Sequence, residues 1–240
     1  MAARVRVHNF SVSLDGYGSG EPQSLETPFG HAGQRLHEWM VATRFWDPVN
    51  GSVGVDDAFA QQHSVGIGAE VMGANKFGPP GWQDDPDWLG WWGDEPPFHT
   101  PVVVLTHRPR PPLEMAGGTT FQFLDVPLVE ALLVAAEAAD GLDVRLGGGA
   151  SVVREALVDG LVDHAHLVVV PIVLGSGSLL WGGLGELDRT YAAEAVASPS
   201  GVVHLTLSRR PQPDQGEEGQ RSVEDSTVED SPVEDVDRDA

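Results

Sequence analysis

The segment Val144-Arg145-Leu146-Gly147-Gly148-Gly149-Ala150-Ser151 leads from a β-branched apolar stretch through three glycines into a helix-forming one. Residues without a Cβ let the backbone approach a ligand closely. The free N–H groups at a helix start favour an anion. Gly147, Gly148, Gly149, Ala150 and Ser151 are therefore candidates for holding a phosphate or pyrophosphate, with a plain tight turn as the structural alternative. The spacing is neither the GxGxxG pattern nor a P-loop. His164 and His166 alternate on one strand face, a spacing that a metal pair can use. A third ligand is not evident nearby, so two structural histidines are expected and no metal. The chain has no cysteine, which excludes disulfides, thiolate metal sites and a cysteine nucleophile. No nucleophile-elbow pattern surrounds its serines, so hydrolysis is not indicated.

Such residues need elements to hold them. Val5, Val7 and the run from Phe10 to Leu14 read as a strand ending at Asp15-Gly16. Leu36, Trp39, Met40 and Thr43 recur at helical spacing and predict a helix over Gly33 to Phe45. A short helix is expected over Asp56 to Gln62, with Asp56 as its cap. Strands are expected at Ala69–Met72, Pro101–Thr106, Thr119–Leu124, Leu142–Leu146 and His164–Leu174. Helices are expected at Pro127–Ala139, with Gly141 past its end, and at Ala150–Asp159, stopped by Gly160. Tyr191–Val196 and Val202–Leu207 suggest a closing antiparallel hairpin. Helices between strands imply crossovers, hence an α/β fold with a mixed, mostly parallel central sheet flanked by helices and an antiparallel edge hairpin. Trp82, Trp88, Trp91 and Trp92 fall in one Pro/Gly-rich loop. They wall a pocket for a flat ring, cover the core or form a subunit contact.

The net charge of −22 argues against nonspecific binding to nucleic acid or acidic lipid. Eleven acids against two arginines place −9 of it between Pro211 and Ala240, where Val-Glu-Asp recurs at 223, 228 and 233. Those single valines cannot bury enough surface to order the segment. Residues 1–210 are expected to form one domain, with residues 211–240 as a disordered acidic tail. The start lacks the apolar core of a signal peptide, and the apolar stretch Leu167 to Leu174 is too short to cross a bilayer. The expected setting is the cytoplasm.

Read in order, Leu146-Gly147-Gly148-Gly149-Ala150-Ser151, Gly160-Leu161-Val162-Asp163-His164-Ala165-His166-Leu167 and Val170-Pro171-Ile172-Val173-Leu174-Gly175-Ser176-Gly177 resemble the C-terminal reductase domain of the riboflavin-biosynthesis deaminase-reductase. The stand-alone bacterial members of that dihydrofolate-reductase-like family are more similar still. Ser11-Val12-Ser13-Leu14-Asp15-Gly16-Tyr17, Val71-Met72-Gly73 and Pro101 to Pro109 agree, so the resemblance runs from about Val5 to Leu207.

The resemblance implies a cleft in which NADPH, with NADH as the alternative, lies beside a small-molecule substrate. Gly147–Ser151 would hold the pyrophosphate. Gly73, Thr106, His107 and Arg108 would lie toward the adenosine end, where Arg108 could pair with a phosphate. Relatives carry an arginine directly after that glycine; here Ala74 stands there, and Lys76 is the nearest replacement. Asp15 and Glu38 would be the catalytic candidates, Asp15 orienting substrate and Glu38 supplying a proton. An ordinary turn aspartate and a solvent-facing helix glutamate are their structural alternatives. The implied activity is NAD(P)H-dependent hydride transfer to a small molecule, pteridine- or ribosylaminouracil-like, by a homodimer. The competing class is a nucleotide-binding module that kept the fold and lost catalysis.

Overall fold

Alternation of side chains along the valine-rich segments builds the architecture. The computed structural model describes residues 3–211; the expectations for the tail from 212 onward lie outside the described residues. Within them the strands are β1 Val5–Ser13, β2 Ile67–Gly73, β3 Pro101–Leu105, β4 Leu113–Glu114, β5 Thr120–Leu124, β6 Asp143–Gly148, β7 His164–Val170, β8 Tyr191–Ala197 and β9 Val203–Arg209. They join in one sheet of order β4-β5-β3-β2-β6-β1-β7-β9-β8. Every pairing from β5 to β7 is parallel. Antiparallel pairing is confined to the edges, β4 on β5 at one side and β9 with β7 and β8 at the other. The expected mixed, mostly parallel sheet with an edge hairpin is what forms.

The helices are α1 Glu38–Val41, α2 Val55–Ala60, α3 Ala74–Phe77, α4 Leu128–Ala138, α5 Ala150–Val158 and α6 Leu187–Thr190. On one sheet face Val71, Val103, Val144 and Ala165 pack with Leu128, Leu132 and Ala135 of α4 and Val153 and Leu157 of α5. Each such leucine or valine contributes roughly 1.5–3 kcal/mol on burial. The residues that alternate with them face the other way: Met72, Val102 and Val104 meet Phe77, Phe121 and Trp82, and Val168 and Val170 meet Leu36 and Trp39. As expected, α4 ends at a glycine, with Gly141 at φ 83° in the left-handed region where a side chain would be strained.

Three local expectations need correction. The helix expected over Gly33 to Phe45 is a 3-10 turn, Gly33–His37, followed by the single turn of α1. Backbone pairing of Arg44 and Ala42 with Ser52 draws the chain away before a second turn forms. Asp56 does not cap α2; Gly54 stands at the N-cap, and the Asp56 carboxylate accepts from His204 on β9. β7 stops at Val170, before Pro171, which has no N–H to continue the ladder.

β6 is inserted between β1 and β2, so its carboxyl end, Gly147-Gly148, opens at the middle of the sheet. β1 carries a bulge there, its register with β7 shifting between Val7 and Phe10. Asn9 sits in it at φ 55°, a conformation that asparagine tolerates better than most residues. A bulge re-aims side chains. His8 and Asn9 are both buried as a result.

Candidate functional site

At the carboxyl end of β6 lies a cavity of about 480 Å³. One side is the glycine turn, Gly147 through Ser151, running into α5. Opposite are the bulged part of β1, His8 to Ser11, and three side chains from the following segments, His37, Met40 and His63. Phe29, Trp91 and Trp92 supply aromatic walls. Two of the four loop tryptophans thus line the cavity. Trp82 is instead buried against Phe77 and Phe123, where it covers the core.

The glycine turn can receive an anion. Gly149 stands at the N-cap of α5 with no side-chain cap, and its carbonyl takes the first helical hydrogen bond, from Val153. The N–H groups of the first turn therefore have no helical partner. A Cβ at Gly149 would meet nothing within 4 Å, whereas one at Gly147 would come 2.5 Å from Lys76 Nζ. The turn is thus open toward the cavity and closely packed behind.

Behind it lies a buried charged group. Glu70 and Arg145, paired in register on β2 and β6, form an ion pair. Lys76 Nζ donates to the Gly147 carbonyl at 2.7 Å. Burial pushes its ammonium down to about 8, against the pull of Glu70. The group carries one net positive charge when Lys76 is protonated, which suits an anion on the turn.

Several residues expected at the site lie elsewhere. The Asp15 carboxylate accepts from Ser13 Oγ at 2.6 Å, from Leu174 N at 3.1 Å and from Gly175 N at 2.7 Å. The Ser13 hydroxyl, then those N–H groups, hold its carboxyl down at about 2. It fastens a turn and does not line the cavity. Glu38 is exposed, while its neighbour His37 reaches the cavity. Thr106, His107 and Arg108 follow β3 outside the cavity lining. Thr106 is buried and accepts from Arg108 N, His107 pairs with Asp125, and Arg108 pairs with Asp84. Gly73 packs against α5, where a Cβ would meet Val152 at 2.9 Å.

The residues that sequence reasoning missed are chiefly His8, Asn9 and His63. Burial pushes the His8 and His63 imidazoles down to about 3 and about 2, so both are neutral near pH 7. Both ring nitrogens of His8 are buried without a partner. The one available signal was a histidine and an asparagine adjacent between the valines and the phenylalanine of β1. Among the described residues no group of three or more His, Cys, Asp or Glu is placed to hold a metal. Nor is any helix among them long and apolar enough to cross a membrane.

A family model described as the RibD C-terminal domain matches residues 5–204. Among solved structures, a protein from Shewanella sp. PV-4 named for riboflavin biosynthesis is 22% identical, with TM-score 0.50, covering 88% of this chain and all of that one. A pyrimidine reductase-like protein from Corynebacterium diphtheriae is 15% identical, with TM-score 0.44, covering 88% of this chain and 93% of that one. A diaminohydroxyphosphoribosylaminopyrimidine deaminase/5-amino-6-(5-phosphoribosylamino)uracil reductase from Thermotoga maritima is 14% identical, with TM-score 0.48. The match covers 87% of this chain and 57% of that one. At such an identity the Shewanella structure bears on the fold alone. No curated protein matches the chain.

Proposed function

The chain belongs to the RibD C-terminal domain family, and from that premise we propose that it reduces a small planar molecule with hydride from a nicotinamide dinucleotide. The observation that carries the reading is the uncapped start of α5, open at Gly149 and facing a cavity walled by aromatic rings. The N–H groups of Ala150 and Ser151 would bind the pyrophosphate, with Lys76 and Arg145 supplying positive charge behind them. The bound dinucleotide supplies the hydride. Phe10, Phe29 and Trp91 would hold a flat ring and exclude water from it. His8, Asn9, His37 and His63 offer neutral donors and acceptors to the ring's polar edge.

Recognition centres on an uncharged heterocycle, pteridine- or aminouracil-like. Lys76 is the one cation among the cavity-lining residues, and it is committed to the Gly147 carbonyl. A substrate phosphate would find no free partner. The 2′-phosphate of NADPH is similarly placed, since Arg108 is held by Asp84 and Ala74 offers no charge. Little discrimination between NADPH and NADH follows.

The test is a titration of both cofactors, followed by quenching of Trp91 and Trp92, on the parent and on Ser151→Asp. Ser151 is exposed in the first turn of α5, where a carboxylate suits the helix but repels a phosphate. Repulsion on the order of 2 kcal/mol weakens binding about thirtyfold, with the melting temperature kept or raised. Undiminished binding in the folded variant would remove the assignment of the turn. Cofactor oxidation across a panel of heterocycles separates reduction from nucleotide binding without turnover.

A further inference from the structure

Five polar side chains run in a line into the cavity along the sheet face that Leu36 and Trp39 cover. The Asp56 carboxylate is 2.8 Å from His204 Nε2, and His204 Nδ1 is 2.9 Å from His166 Nε2. His166 Nδ1 is 3.0 Å from Asn9 Oδ1, and Asn9 Nδ2 is 3.3 Å from His63 Nδ1. Asn9 and His63 line the cavity. The two middle imidazoles are 2% and 0% exposed. Phe59 stacks on both at 4.5 and 4.3 Å between centroids, and Trp39 meets both edge-on. Water is thereby kept from the line, and its hydrogen bonds must be satisfied within it.

Two arrangements of hydrogens satisfy every link between the five side chains; the first gives up the Asn9 backbone N–H contact to His166, and the second the Asn9 contact to the Ala60 carbonyl. The ionised Asp56 carboxylate only accepts, so His204 Nε2 carries a hydrogen in both. In the first, His204 Nδ1 also carries one and the ring is an imidazolium. His166 then donates through Nδ1 to Asn9 Oδ1. The Asn9 amide donates to the Ala60 carbonyl, 3.3 Å away, and to His63 Nδ1. His63 keeps its hydrogen on Nε2. In the second, His166 Nε2 donates to a neutral His204. His166 Nδ1 accepts from the Asn9 backbone N–H, also 3.3 Å away, and from the amide turned over. The amide oxygen now accepts from His63 Nδ1, and Nε2 is left with a lone pair. The arrangements differ by one proton.

We propose that Asp56, His204, His166, Asn9 and His63 form a relay that stores one proton and delivers it to the cavity at His63 Nε2. The proposal rests on reading the cavity as a site of reduction. Hydride addition from the nicotinamide dinucleotide makes a C–H bond on the carbon of a C=N or C=O group, and the displaced π pair stays on its nitrogen or oxygen. That atom takes the proton from His63 Nε2. The line passes from the first arrangement to the second: an Asn9 Nδ2 hydrogen moves to His63 Nδ1, the His166 Nδ1 hydrogen to Asn9 Oδ1 and the His204 Nδ1 proton to His166 Nε2, and the imidic acid left at Asn9 returns to the amide, turned over. The dinucleotide is oxidised, the substrate is reduced, and after product leaves, water in the cavity protonates His63 Nε2 and the same shifts run in reverse to reload the line.

The surrounding charges suit this division. Burial, and after it the charges of Arg145, Lys76 and His8 at His63 and of His204, His8 and His164 at His166, disfavour a charge at both rings. His204 alone has a carboxylate against it, that of Asp56. His63 is the catalytic candidate; His166 and His204 are positioning residues.

The test is nitrogen NMR of histidine-labelled protein without ligand, on the parent, His204→Gln and Asp56→Asn. In the parent, His63 and His166 are expected to change tautomer as His204 loses its Nδ1 proton, in one single-proton transition. Both variants should abolish that transition at His63, because neither can hold the extra proton; the half-buried Asp56 variant serves if the buried one fails to fold. With substrate, Asp56→Asn should lower kcat about a hundredfold and leave cofactor affinity unchanged. Independent changes at His63, or a His63 tautomer indifferent to both variants, would overturn the relay even if the protein binds NADPH. Concerted changes in a protein that binds neither cofactor would support the proton store and defeat the reductase reading instead.

Discussion

Lys76 illustrates how one side chain joins cavity and core. Its ammonium caps the Gly147 carbonyl and lies beside Glu70, yet burial holds it down at about 8 from 10.5. The unfolded chain therefore binds more protons between those values, and stability rises with pH across that window as the folded lysine sheds its charge. The shift corresponds to a ceiling of about 3 kcal/mol, and the cavity's solvent reduces it to ~1–2 kcal/mol. Denaturant unfolding of the parent and Lys76→Met at successive pH values should show this rise in the parent alone. Parallel curves would mean that the ammonium is not desolvated.

At the scale of the element, the tryptophan loop after α3 is divided between two tasks. Trp82 donates its indole N–H to the Ala74 carbonyl at 3.1 Å, and Trp88 donates to Phe77 O at 3.2 Å, so two indoles tie the loop to α3. The Arg110 guanidinium lies over the rings of Phe77, Trp82 and Phe123 and donates to the Trp88 carbonyl. Trp91 and Trp92 are then free to wall the cavity. Trp82→Ala should cost ~3–5 kcal/mol by leaving a hole among Phe77, Phe121 and Phe123. Trp91→Ala should leave the melting temperature nearly unchanged and weaken binding of a flat ligand. Thermal melts and ligand titrations on both variants check this, and equal destabilisation would refute the division.

For the molecule as a whole, the sheet's middle carries an unusual load of neutral imidazole. Burial pushes His8, His37, His63 and His166 down to about 3, 4, 2 and 3 from 6.5. Below 6.5 the unfolded chain takes up protons that these folded rings refuse, so stability is complete above 6.5 and falls as the pH drops. Each ring costs at most about 1.4 kcal/mol per pH unit, less for half-buried His37 and His63. Urea unfolding should therefore show a loss of several kcal/mol between pH 6.5 and roughly pH 5, before most carboxylates titrate. A flat profile over that interval would show that the rings are hydrated.

Local chemistry made much of this protein legible in its sequence. The alternating valines, the crossover helices and the glycines after β6 each depend on residues close in the chain, and period and turn chemistry report them directly. So the sheet, α4, α5 and the Gly147–Ser151 turn were all visible there. The floor of the cavity was not. His8 and Asn9 line it because a bulge in β1 turns them inward, and a one-residue shift in pairing leaves no trace in periodicity. Asp15 and Glu38 had suitable chemistry, but the Ser13–Gly175 turn takes up the one and solvent surrounds the other. Asp56 and His204, 148 positions apart, meet only when β9 returns beside β7. Chain-local signals thus set the elements, while contacts between distant segments decided which polar groups share the cavity.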